Sequence, residues 1–485
     1  MQGNQATREA GRAPIAILGV PFDNVTTAET LEHIGRMVAS GKPHYLATAN
    51  VDFLVQASED VELRRILFDA HLVLADGMPI VWASRMLGNP LPERVTGSGM
   101  VPLLLELAEH KGWKVYFLGG TEQSVAAAAA RTREKHPKLQ LVGAYSPPFK
   151  PLLEMDHEDL VRRLQAAKPD LLLVAFGCPK QEKWINMNYR AAGVPVSIGV
   201  GATIDFLAGT VHRAPVWMQR TGTEWLFRLG QEPRRLFRRY FRGIWVFGRL
   251  ILRQLWQLHP SSRPARPGSP SDLTADLPGS VLVKLGNRLD APEVQARQQE
   301  WLTAVQAGSV ILDLSETQFV DSTGMGALIK LRKLARELQH PLVLAAPGER
   351  LTAALRLMKL EGFFTVEATV TAARLKVREK PALAPVTRPG TSPEIIWNGE
   401  VTAVTAEALA KSTEAQLEGV AGGVPVVINL AKVSFVDSTG IGLMVRLRKS
   451  LWRRDIPLTF TQPGEAVLNV LRHTKMDSYL LEPPR

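Results

Sequence analysis

The chain holds one cysteine, Cys178, no Asp-x-Asp pair, and 47 acidic residues against 58 lysines and arginines. A lone cysteine excludes a disulfide framework within the chain and a cysteine-rich metal site, and it suits a reducing compartment. The opening MQGNQATREAGRAP has no apolar core of signal-peptide length, so the expectation is a cytoplasmic protein. What the chain does have is bulk: 485 residues, enough for about three domains, and a 45% hydrophobic content that can fill their cores and excludes general disorder.

The formal charge of +11 fits nucleic acid, anionic lipid or a phosphorylated substrate, and its position decides among them. Residues 228 to 259 carry eight arginines and one acid, Glu232, interleaved with Phe237, Tyr240, Phe241, Trp245, Phe247 and Trp256. That mixture suits a lipid headgroup layer and argues against a nucleic-acid partner. The uncharged run 243–248, between Arg242 and Arg249, falls far below the ~20 apolar residues of a spanning helix. The stretch 234–258 is therefore expected to lie on a membrane surface; the alternative is an ordinary helix packing its aromatics on the fold.

Two Pro/Ser/Gly-rich segments, 259–275 and 379–393, read as linkers. They delimit a first domain at 13–258, with a C-terminal appendage at about 222–258, and two smaller domains at 276–378 and 394–481. In the first, the runs IAILGV, YLATAN, LVLADG, KVYFLGG, LQLVGAY, LLLVAFG and VSIGVGA alternate with helix-like segments at 27–40, 51–70, 98–111, 121–135 and 156–167. This alternation predicts an α/β fold with a Rossmann-like parallel sheet, which places ligands at the carboxyl ends of its strands. The smaller domains each read as a small α/β layer. FVDSTGMGAL at 319 to 328 returns as FVDSTGIGLM at 435 to 444, so they are two copies of one module.

Candidate site residues cluster where strands end. Gly119 and Gly120 permit a tight turn after KVYFL, with Ser124 near a helix start that attracts phosphate. Gly177, Lys180 and Gln181 occupy a second junction, and Gly199, Gly201 and Asp205 a third. Three such junctions favour a nucleotide-sized ligand. Asp76, in LADGMPIVW, reads either as a base taking a proton from an attacking hydroxyl or as the N-cap of the helix starting at Met78. Thr48 and Asn50 bind sugar hydroxyls or cap the helix from Val51. Arg94, beside a glycine-rich turn, suits an anionic group, or is a surface arginine.

TAN at 48–50, ADG at 75–77, RVTGSG at 94–99, FLGG at 117–120, FGCPKQEKW at 176–184, GVGATIDFLAG at 199–209, RAPVW at 213–217 and EWLFRLGQEPRRLFRRY at 224–240 together resemble the WecG/TagA/CpsF glycosyltransferases. Thr223 stands where a leucine commonly precedes the Glu-Trp pair. The resemblance implies transfer of an N-acetylmannosamine-type sugar from a UDP donor to a polyprenyl-diphosphate-linked sugar at the cytoplasmic membrane face. It implies Asp76 as catalytic base, with Thr48, Asn50, Arg94 and Gln181 lining the donor pocket and Arg228, Arg235 and Arg238 reaching over the diphosphate. Without an Asp-x-Asp pair no metal or other cofactor is expected, and fixed arginines with helix N-termini take over the leaving-group charge. One base opposite the leaving group inverts the anomeric centre. An oxidoreductase reading has only the glycine turns behind it, since no full Gly-x-Gly-x-x-Gly follows a first strand.

The repeated segments resemble STAS modules of anti-sigma-factor antagonists. That likeness implies a protein partner, such as an anti-sigma factor or kinase, and phosphate acceptors at Thr323 and Thr439, with Ser322 and Ser438 just before them. The residues themselves allow a plainer reading, in which Asp321 and Asp437 with their serines only cap helices. Two functional readings stay open: a transferase with a regulatory or docking tail, and a STAS scaffold whose first domain only senses a nucleotide-sugar. Either leaves room for a homo-oligomer.

Overall fold

A computed structural model describes residues 12–211, scattered positions between 214 and 230, helix 233–258, and 273–482 apart from 278–279, 379–385, 389–392 and 419. The chain opens with a hairpin, β1 (Ile15–Ile17) and β2 (Val20–Phe22), paired antiparallel. Its two-residue turn places Leu18 and Gly19 at φ of 51° and 81°. Both left-handed values match the twist of a tight hairpin. The run IAILGV, expected in the parallel sheet, is therefore outside it.

The remaining six runs form that sheet: β3 (His44–Ala49), β4 (Leu72–Ala75), β5 (Lys114–Gly119), β6 (Gln140–Tyr145), β7 (Leu171–Ala175) and β8 (Val196–Gly199). Their order is β4-β3-β8-β7-β5-β6, with every pairing parallel. One apolar cluster fills each face of this sheet. All six carboxyl ends accordingly share one edge.

The segment 51–70 is two helices, Val51–Glu59 and Val61–Asp69, broken at Asp60. Asp60 is extended (φ −92°, ψ 101°), and its carboxylate accepts from the Leu63 amide, so it starts the second helix instead of continuing the first. In that second helix every residue from Glu62 to Phe68 is buried. Its Leu63, Ile66 and Leu67 enter the core of the first domain, Phe68 enters the core of the second, and Val61 packs on the third.

The second domain carries β9 (Leu273–Leu277), β10 (Ser280–Lys284), β11 (Arg288–Leu289), β12 (Ser309–Asp313), β13 (Phe319–Val320), β14 (Leu342–Ala345) and β15 (Thr365–Glu367). The main sheet runs β15-β14-β12-β10-β9, parallel except for β9. The third has β16 (Val386–Arg388), β17 (Glu394–Val401), β18 (Val426–Val436) and β19 (Leu458–Thr461) in that order, with only β16 antiparallel. Both presumed linkers thus lend a strand, β9 and β16. An unpaired sheet edge recruits backbone hydrogen bonds irrespective of side-chain composition, which a reading of proline and serine content misses.

Candidate active site at the carboxyl edge of the sheet

The strand ends are tied into one continuous rim. The Asp76 amide donates to the Ala49 carbonyl at 2.9 Å, setting Asp76 beside Asn50, and the Val95 amide donates to Ala75 at 3.0 Å, bringing Arg94 alongside. Thr48 Oγ1 donates to the Gly199 carbonyl at 3.3 Å. A Cβ on Gly97 would stand 3.5 Å from Thr48 Oγ1 and 3.6 Å from Thr203 Oγ1. Across the rim, the Gly120 amide donates to Ala175 at 2.9 Å.

Gln181 is the bracket. Its Oε1 accepts from the amides of Gly177 (3.2 Å) and Gly201 (3.1 Å), and its Nε2 donates to Glu182 Oε1 at 2.7 Å. The side chain is buried and joins the loops after β7 and β8, so it sets their geometry from beneath. A Cβ on Gly199 would come within 2.7 Å of Gln181 Nε2, which is why glycine ends that strand.

Gly77, which has no side chain, holds the N-cap position of the following helix, Met78–Met86, in place of Asp76. The helices Lys180–Ala192 and Thr203–Ala208, begun at Pro179 and Ala202, likewise have no side-chain cap. Three helices thus start on this rim from N-cap residues without a capping hydroxyl or carboxylate, and the positive end of a helix dipole favours an anion. Asn50 differs: its Oδ1 accepts from Asp52 and Phe53 amides and does cap the helix from Val51. Ser124 is itself capped, donating its amide to Thr121 Oγ1 at 3.0 Å.

Arg94 Nη1 meets Glu224 Oε2 at 3.1 Å, and both are largely buried. Lys180 Nζ donates to the Lys150 carbonyl at 2.6 Å and sits over the rings of Phe149 and Phe176. Asp205 lies in the first turn of its helix. Gly119, Gly120, Gly177 and Gly201 all take positive φ, as their turns require. Arg228 lies outside the described residues. Arg235 and Arg238 fall within the helix Pro233–Leu258, with their side chains outside the description.

Glu182 escaped the sequence reading, since between Gln181 and Lys183 it looks like a solvated helix residue. Burial pushes its carboxyl up to about 7, and Oε2 lacks a hydrogen-bond partner. Its signal was the rigid spacing of FGCPKQEKW, which faces three consecutive polar side chains inward.

Helix Pro233–Leu258 buries Phe247 and Ile251 against the first domain and exposes Phe241, Ile244, Trp245, Leu252 and Trp256. A Cβ on Gly243 would lie 3.9 Å from Val51 Cγ1, so the helix passes beside the residue that follows Asn50. Among the described residues no helix is long and apolar enough to cross a membrane.

The family model for the WecG/TagA/CpsF glycosyl transferases matches residues 15–261. The chain belongs to that family. The STAS domain model matches 274–373 and 394–483, so the transferase domain is followed by two STAS domains. A relative from Staphylococcus aureus strain MW2, named N-acetylglucosaminyldiphosphoundecaprenol N-acetyl-beta-D-mannosaminyltransferase, is 29% identical over 228 residues, 47% of this chain and 88% of its own. Its counterpart from strain NCTC 8325 is 30% identical over 218 residues, 44% and 84%. Among solved structures, unphosphorylated SpoIIAA, an anti-sigma factor antagonist, aligns with 23% of this chain and all of its own at 21% identity and a TM-score of 0.20. Phosphorylated SpoIIAA of Bacillus aligns with 22% of this chain at 19% identity and a TM-score of 0.20.

In both STAS domains the repeated turn begins a helix, Ser322–Glu337 and Ser438–Trp452. Asp321 Oδ1 accepts from the Thr323 and Gly324 amides, and Asp437 Oδ1 from the Gly440 amide. A Cβ on Gly324 or Gly440 would overlap the carbonyl oxygen of Leu289 or Val401. The motif recurs because a capping carboxylate and a bare glycine are both needed where the helix start abuts a strand. Ser322, Thr323 and Ser438 are buried, and the hydroxyl oxygens of Thr323 and Thr439 are enclosed without a hydrogen-bond partner.

Proposed function

We propose that the protein transfers an N-acetylmannosamine-type sugar from a UDP donor to a polyprenyl-diphosphate-linked N-acetylglucosamine in cell-surface polysaccharide assembly. The observation that carries this reading is the meeting of Asp76, Asn50 and Arg94 on one rim with the glycine turns and the starts of three helices. The relatives' printed activity supplies the sugar and the acceptor class.

In this mechanism the acceptor hydroxyl gives its proton to Asp76 while its oxygen forms a bond to the anomeric carbon. The bond from that carbon to the UDP oxygen breaks, and the electron pair leaves with UDP. Attack opposite the leaving group inverts the centre. The N-terminal end of the helix Lys180–Ala192 takes up the diphosphate charge, so a metal is not required of the step. Gln181 holds two of the rim's loops in place and Arg94 ties the rim to Glu224.

The acceptor lipid sits in a membrane, and the exposed apolar stripe of helix Pro233–Leu258 supports docking on its surface from the cytoplasmic side. Phe241, Trp245, Leu252 and Trp256 stand at spacings of 4, 7 and 4, one face of a helix, with Arg249 and Arg253 exposed near them. Anionic headgroups add about 1 kcal/mol per basic side chain at the surface. The test is UDP release with a polyprenyl-diphosphate-GlcNAc analogue across several UDP-sugars. Turnover with a UDP-N-acetylmannosamine-type donor is expected, and donor binding without turnover by any of them would assign a sensor role instead.

A further inference from the structure

Neither STAS turn faces solvent. Ser322 Oγ accepts a hydrogen bond from Gln254 Nε2 at 2.9 Å. The same amide group donates to the Ala16 carbonyl, and its oxygen accepts from the Leu18 amide, so Gln254 joins helix 233–258, the opening hairpin and the first STAS turn. One turn further on, a Cβ on Gly326 would stand 2.6 Å from the Pro14 carbonyl oxygen. Ala16 and Phe68 belong to the apolar cluster of this STAS domain, and Phe68 stacks 4.7 Å from Phe363. Around the turn itself the first docking is thus packing and neutral hydrogen bonds, and its ion pair, Arg336 with Asp69, lies at the other end of the helix Ser322–Glu337.

The second is built on charge. The Ser438 amide donates to Glu62 Oε1, while Glu62 Oε2 and Asp60 Oδ2 both lie 2.8 Å from Lys183 Nζ. Asp437 lies against Glu62, and burial with that neighbouring charge pushes its carboxyl up to about 7. Glu400, on the same STAS domain, bonds Arg65 of the transferase at 2.8 Å and approaches Arg332 (3.7 Å) and Arg336 (3.8 Å) of the first STAS domain. A cavity of about 60 Å³ between the three domains is lined by Glu62, Asp69, Lys333, Thr402 and Asp437 among others. It lies away from the catalytic rim, and its ion pairs are already made.

We propose that the transferase domain is the resident partner of both STAS turns, and that the second docking opens when negative charge is placed at Ser438 while the first stays closed. The asymmetry follows from the receptors. A phosphate brings roughly −1.5 to −2 charges. Each turn carries its own aspartate, Asp321 or Asp437, but at Ser438 the phosphate would also meet Glu62 of the transferase, whose neighbour Lys183 is already shared with Asp60. At Ser322 the facing group is a neutral amide. An external STAS-binding protein or kinase must therefore compete with the transferase domain for the same turn.

Small-angle scattering of the full chain tests this. Ser438→Asp should increase the radius of gyration and maximum dimension, and Ser438→Ala should not. Glu400→Lys, which sets like charge among three arginines from a position partly open to solvent, should expand the chain without touching the turn. Adding Glu62→Gln to Ser438→Asp should restore part of the compactness. Wild-type dimensions in both Ser438→Asp and Glu400→Lys would overturn the proposal, as would equal expansion by Ser438→Ala and Ser438→Asp.

Discussion

The Arg94 guanidinium meets the Glu224 carboxylate at 3.1 Å across 130 residues, tying the rim of the sheet to the start of the C-terminal appendage. Removing one partner of a buried pair costs about 3–5 kcal/mol, because the other charge stays desolvated. Arg94→Leu should therefore lower the melting temperature sharply, and Arg94→Leu with Glu224→Leu should recover most of the loss in a double-mutant cycle. Turnover should stay low in both, since neither restores the tie.

Asp76→Asn keeps the shape of the side chain and removes the base. Turnover should fall about 10²–10⁴-fold. Donor affinity, read by calorimetry, should change little. Unaltered turnover would take the base assignment away from Asp76.

Trp245→Ser with Trp256→Ser removes the two most exposed aromatics of the helix stripe, 71% and 81% accessible. Sedimentation with anionic liposomes should drop strongly, while transfer to a water-soluble acceptor analogue persists. Loss of both would mean that the stripe serves the fold.

Glu182 makes stability depend on pH. Its folded pKa of about 7 lies above the ordinary 4.5, so the folded chain binds more protons than the unfolded one between those values. Wild type then loses stability as pH rises through this window and keeps the deficit above it, up to ~3 kcal/mol. Glu182→Gln should raise the melting temperature at pH 8 and leave it nearly unchanged at pH 5.

Much of the rim was legible because each element of it is local. A strand that ends in Gly-Gly, or in Ala-Asp-Gly, announces a turn, and a parallel sheet puts every such turn on one edge. Asn50 reads in the sequence as ligand or cap, and in the fold its Oδ1 caps the helix from Val51. The resemblance places Gln181 at the donor pocket, and in the fold its side chain joins Gly177, Gly201 and Glu182, a set made by two loops distant in sequence. IAILGV has strand composition, yet strand composition does not say which sheet, and its left-handed turn sent it to a hairpin.

By itself the sequence determined the family, the two-copy tail and the amphipathic helix, since each is written in residues close together along the chain. Tertiary structure alone decided that DVELRRILFD lies among all three domains with Glu62 to Phe68 buried, and that both STAS turns are closed by the domain that precedes them. Its arginines and acids look solvated in the sequence. They are buried because their partners, Glu400, Arg336 and Lys183, arrive from segments more than 100 residues away, and no local pattern encodes that meeting.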